Sequence, residues 1–157
     1  MNRRDEGHGP GPLQEQFWIE LLRRSRGRTP IFANTSPRPY TWLETRTGYP
    51  GTKYMYLLRN IETQVVLSID RGMNAEVANK QLFDQLKAAK AEIEPAFGES
   101  IEWERGQDRV AKIGHTVRIG GLHNEEYWPE MMDAMIDGLI QMDAALHEPL
   151  RDLLGRA

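Results

Sequence analysis

Residues 53–70, KYMYLLR-NIE-TQVVLSID, decide how the chain folds. Both outer pieces are rich in aromatic and β-branched residues, the types that suit a pleated, half-buried surface. In the second piece Val65, Leu67 and Ile69 fall on one face, and Val66, Ser68 and Asp70 on the other. Asn60-Ile61-Glu62 is short enough for a hairpin, so the two strands pair antiparallel. Working back from there, Gly48-Tyr49-Pro50-Gly51 is turn chemistry, and YTWLETR at 40–46 reads as a third short strand. TPIFANTSPRP at 29–39 holds three prolines and is a structured loop, with Ile31 and Phe32 tucked inward. Before the loop, Leu13, Phe17, Trp18, Leu21 and Leu22 recur at helical spacing, with Pro12 in the first turn and Gly27 at the end.

Downstream, Ala78, Leu82, Leu86, Ala89, Ile93 and Phe97 form one stripe. They predict a single long helix from Asn74, as N-cap, to about Ala96, with Gly98 as its stop. IEWER at 101–105 and RVAKIGHTVRI at 109–119 read as two strands joined at Gly106-Gln107-Asp108, with Gly114 marking a bulge or bend. A last helix opens near Asn124 and carries Trp128, Met132, Met135, Leu139, Met142 and Leu146, with Pro149 ending or kinking it. The order is α-β-β-β-α-β-β-α. Strands in runs between helices imply an α+β fold: a five-stranded antiparallel sheet with helices packed on one face.

The chain has 157 residues, a formal net charge of −3 and no cysteine. That length suits one domain. We expect a flexible tail over 1–12, a single α+β domain over 13–148 and a C-terminal extension over 149–157. The tail is polar and rich in Gly and Pro, unlike a secretory signal. No run approaches the ~18 apolar residues of a membrane span. The missing cysteines exclude disulfides, thiolate nucleophiles and Cys-based metal sites, and favour a cytoplasmic setting. The charge is uneven. Residues 1–60 hold ten Lys/Arg against five Asp/Glu, whereas 61–157 hold ten against 18. Such a split points either to an anionic partner or to charges that interleave on folding.

Several pieces resemble a bacterial family of small proteins and C-terminal modules, the domain of unknown function 4268. They are FWIELL at 17–22, FANTSP at 32–37, WL at 42–43, VLSIDRG at 66–72, NKQLFDQLKAAKAEIEPAFG at 79–98, IEWER at 101–105 and WPE at 128–130 with the Met/Leu-rich helix behind it. The resemblance covers about residues 13–147. It implies an α+β domain with no assigned activity. Because some members place this domain behind restriction-endonuclease-like domains, it also implies a nucleic-acid or defence context.

No catalytic motif stands out. The four histidines, His8, His115, His123 and His147, make no His-x₃-His or His-Glu-x-x-His pattern, and no serine sits in a Gly-x-Ser-x-Gly elbow. No cofactor is implied. The basic residues are the more informative set. Arg23, Arg24, Arg26 and Arg28 run off the first helix, Arg38 follows, and Tyr40, Trp42, Tyr49, Tyr54 and Tyr56 come soon after. Arginines neutralise phosphates and aromatics stack on unpaired bases. The same arginines also complement a helix C-terminus, and strand aromatics also pack a sheet. The leading reading is a non-enzymatic binding or accessory module. Its surface is Arg23, Arg24, Arg28, Arg38, Tyr40, Trp42, Tyr54 and Arg59, engaging nucleic acid or an acidic protein. A divergent metal-dependent nuclease using Asp70, Glu102 and Glu104 is the alternative, although no Asp-x-Lys or Glu-x-Lys triplet occurs. A third reading is a dimeric interaction scaffold, with Met131, Met132, Met135 and Met142 as a self-association face.

Overall fold

A computed structural model describes residues 11–155. The tail expected over 1–12, with His8, therefore lies outside the described residues except for Gly11 and Pro12. The elements are α1 (Pro12–Ser25), β1 (Trp42–Arg46), β2 (Thr52–Leu58), β3 (Thr63–Ile69), α2 (Glu76–Ala88), α3 (Lys90–Phe97), β4 (Glu102–Glu104), β5 (Ala111–Val117) and α4 (Trp128–Leu154). The five strands make an antiparallel sheet in the order β1-β2-β3-β5-β4, so the fold is α+β as expected. Two compact units divide the described chain. The first takes residues up to Thr45, Met55–Val65 and Thr116–Asp137; the second takes Arg46–Tyr54, Val66–His115 and the chain from Gly138.

The decisive hairpin forms as read. Arg59 N–H donates to Glu62 O at its turn, and Asp70 N–H donates to Gly51 O at its open end, which is the same register at both ends. Along β2 burial alternates, with Thr52, Tyr54, Tyr56 and Leu58 inward. β3 is buried at Val65 through Ile69, on both faces. This is why its sequence is apolar almost throughout instead of alternating.

In the first unit, rings hold the core together. Trp128 meets Phe17 edge to face at 5.0 Å, and Phe17 meets Trp18 at 5.2 Å. Trp18 stacks on Tyr56 at 6.3 Å, and Tyr56 on Phe32 at 4.7 Å. All five side chains are buried. Both indoles keep a hydrogen bond, Trp18 Nε1–H to Tyr40 O at 2.8 Å and Trp128 Nε1–H to Leu122 O at 3.1 Å. Tyr56 is different. Its hydroxyl is buried and has no partner, and burial holds the phenol far above its ordinary range, so it stays protonated.

In the second unit a polar tie replaces the ring series. Asn79, fully buried on α2, accepts Arg71 N–H at 2.9 Å and donates to Arg109 O at 3.0 Å. Next to it, Lys80 Nζ donates to the carbonyls of Arg105 and Val110, which flank the turn between β4 and β5. Below this tie, Trp103 lies edge-on to Phe83 at 6.1 Å and donates to Glu94 at 2.9 Å.

Four expectations need correction. The long helix from Asn74 is two helices, broken at Ala89 (φ −99°, ψ 17°). The break is one residue long: Ala89 N–H closes onto Leu86 O, and Ala89 O accepts Glu92 and Ile93 N–H, while Pro95 lies within the second helix. Asn74 is not the cap; it has φ 67°, and Ala75 holds the cap position. Gly114 makes no bulge, because Glu102, Trp103 and Glu104 pair in step with Gly114, Ile113 and Lys112. Finally, Pro149 does not end α4, which runs on to Leu154 with Leu146 and Leu150 both buried, so side-chain packing carries the helix past the lost bond.

Two substitutions separate these cores. Asn79→Ala removes both of that side chain's part-buried hydrogen bonds at once, and is expected to cost about 1–3 kcal/mol in urea unfolding. Tyr56→Phe removes only an unsatisfied hydroxyl, and is expected to change stability by less than about 0.5 kcal/mol or to raise it, read in the same urea titration.

Candidate binding site

Thr29 to Thr41 joins α1 to β1 and is pinned at both ends. At its start Arg28 and Thr29 N–H both return to Ser25 O, and Ala33 N–H and Thr35 N–H close turns onto Pro30 O and Phe32 O. Phe32 is the anchor, held under Tyr56. At its end, Pro39 O accepts Gly11 N–H at 2.9 Å, Tyr40 O accepts the Trp18 indole, and Thr41 O accepts Leu58 N–H.

Between those anchors the loop is a wall with two faces. Phe32, Ala33, Thr35 and Pro37 line a cavity of about 640 Å³ beside the end of α1. Asn34, Thr35, Ser36 and Arg38 line another of about 420 Å³, completed by Tyr40, Trp42, Leu43 and Glu44. Thr35 lines both cavities. At the rim of the smaller cavity Tyr40 and Trp42 are stacked nearly parallel, centroids 4.9 Å apart and planes 11° apart. Trp42 is 41% exposed and Arg38 is exposed beside it.

The residues expected to form one surface do not share one situation. Arg38, Tyr40 and Trp42 come together. Arg23, Arg24 and Arg28 are bound to acids: Arg23 to Glu20, Arg24 to Asp133 at 3.2 Å, and Arg28 to both Asp133 and Asp137. Arg59 is exposed and donates to Gln64 Oε1 at 3.2 and 3.3 Å. Tyr54 is not on a surface. It is 1% exposed and donates to Asp143 at 2.7 Å, and burial followed by the Asp143 charge holds it protonated. Asn34, Thr35 and Ser36 were absent from the expected set. The one signal that could have found them is a sixteen-residue connection, 26–41, without a helix or strand of its own, a length that is uncommon unless it is functional.

The carboxylates of the nuclease reading do not converge either. Asp70 is paired with Arg109 at 2.9 Å and accepts Gly72 N–H at 3.0 Å. Glu102 and Glu104 stand on β4 opposite Gly114 and Lys112. Among the described residues no group of three or more His, Asp or Glu could hold a metal ion. The four methionines of α4 are all buried inside the chain, so a self-association face there would need other residues. No described helix is long and apolar enough to cross a membrane.

The Asp70 pair makes a pH prediction. The Arg109 guanidinium, and after it the Gly72 amide, hold this carboxyl below its usual value. A depressed carboxyl stabilises the fold above its unfolded pKa, ~3.9, and loses that contribution as pH falls through the folded value. Asp70→Asn is therefore expected to lower stability at neutral pH and to flatten the decline of urea midpoint below about pH 4.

No curated protein and no solved structure matches the chain. The family model described as Domain of unknown function (DUF4268) matches residues 13–150, which include both walls of the loop and every strand, and the chain belongs to that family.

Proposed function

We propose that the protein is a non-enzymatic binding module that engages single-stranded nucleic acid through the polar cavity at 34–44. The parallel Tyr40–Trp42 stack beside Arg38 carries this reading. An exposed indole already stacked on a tyrosine offers a platform for an unpaired base, worth ~1–3 kcal/mol per base. In this reading Arg38, which lines the same cavity, pairs with the phosphate next to that base, and Asn34, Thr35 and Ser36 offer donors and acceptors to its edge. An acidic protein would use the arginine but would have no need of the aromatic pair, so the pair favours the base.

Because Arg23, Arg24 and Arg28 are spent on internal acids, few cations remain for phosphates. The salt dependence should accordingly be shallow. With one phosphate neutralised, log K should fall with a slope of about −0.7 against log salt. Fluorescence anisotropy with labelled single-stranded and duplex DNA and RNA, titrated with salt, tests this. We expect single strands to bind and duplexes not to, and Trp42→Ala to weaken single-strand binding about tenfold. Absence of single-strand binding at low ionic strength would sink the reading.

A further inference from the structure

The larger cavity is unused by that function, and its chemistry differs. Its floor is apolar: Ile19, Leu22 and Phe32 meet Ala33 and Pro37 there. Ile19 is 50% exposed, an apolar side chain left open to the cavity. At about 640 Å³ the space lies within the ~300–1,000 Å³ typical of small-molecule sites.

Two guanidinium groups are in its wall, and they are not equivalent. Arg28 is neutralised by Asp133 and Asp137. Arg26 is exposed and has no acid partner among the described residues, so it leaves a net positive charge beside an apolar floor. An apolar lining with one unpaired guanidinium favours a ligand that has an apolar body and an anionic head.

We propose that this cavity is a second binding site, for a small amphipathic carboxylate whose apolar body lies on Phe32, Leu22 and Ile19 and whose head group pairs with Arg26. The site does not depend on nucleic-acid binding, since the two cavities share only the wall residue Thr35.

Calorimetric titration of the full chain with sodium decanoate, and with decanol as its uncharged counterpart, tests the proposal. Decanoate is expected to bind saturably at one site. Ala33→Trp, at an exposed position in the wall, should fill the space and abolish binding of both probes. Arg26→Gln, also at an exposed position, should weaken decanoate about threefold, the scale of an exposed ion pair, and leave decanol unchanged. No saturable decanoate binding overturns the proposal. So does binding indifferent to Ala33→Trp, which would place the ligand elsewhere, or decanoate binding that Arg26→Gln leaves intact.

Discussion

Ring contact between Phe32 and Tyr56 is the constraint on which the loop between the two cavities depends. Phe32 belongs to a loop with no regular hydrogen-bond ladder, and Tyr56 belongs to the central hairpin. Stacking joins them, and the series continues through Trp18 and Phe17 to Trp128. Aromatic side chains bury large areas and hold preferred mutual angles, so a chain of them transmits position as well as stability. The loop is thereby held as a thin partition with a different cavity on each side. Without the Phe32 anchor, three prolines and a run of small polar residues would have little to fix them.

What the sequence disclosed, and what it hid, follows from the range of the interactions involved. Period-two patterning in 53–70 and the turn at 60–62 are local, and the hairpin they imply is present with its register intact. The helical stripes were equally visible, but the break at Ala89 was not. The apolar spacing from Leu86 to Ile93 passes through the break without losing phase, so no local pattern marks it. Tyr54 shows the limit for the site. In sequence it is one more aromatic near a cluster of arginines. Its fate was decided by Asp143, 89 residues away, which no local pattern connects to it. Arg38, Tyr40 and Trp42 were legible as part of the expected surface because they fall within five consecutive residues. Asn34, Thr35 and Ser36 read as loop residues, since nothing local shows that a loop encloses space.

The charge split has a structural answer. The positive end of α1 faces the acids near the start of α4, and Arg24 and Arg28 meet Asp133 and Asp137. The two halves of the sequence therefore neutralise each other, at least in part, inside the first unit. Arg24 and Arg28, two of the four arginines around the end of α1, thus serve to dock the chain's own last helix. Cations such as Arg26 and Arg38, which escape this pairing, flank the two cavities.

The tie made by Asn79 and Lys80 carries a consequence for motion. Both side chains leave α2 to hold backbone groups around β4 and β5: the carbonyls of Arg105, Arg109 and Val110. A short edge strand would ordinarily fray on its own, because three residues of ladder are little to break. Here fraying would leave a buried lysine and a buried asparagine without acceptors, a cost the strand alone does not impose. Opening of the hairpin and release of the helix therefore become one event, and the amides of both should exchange with solvent at a common rate set by that single cooperative step.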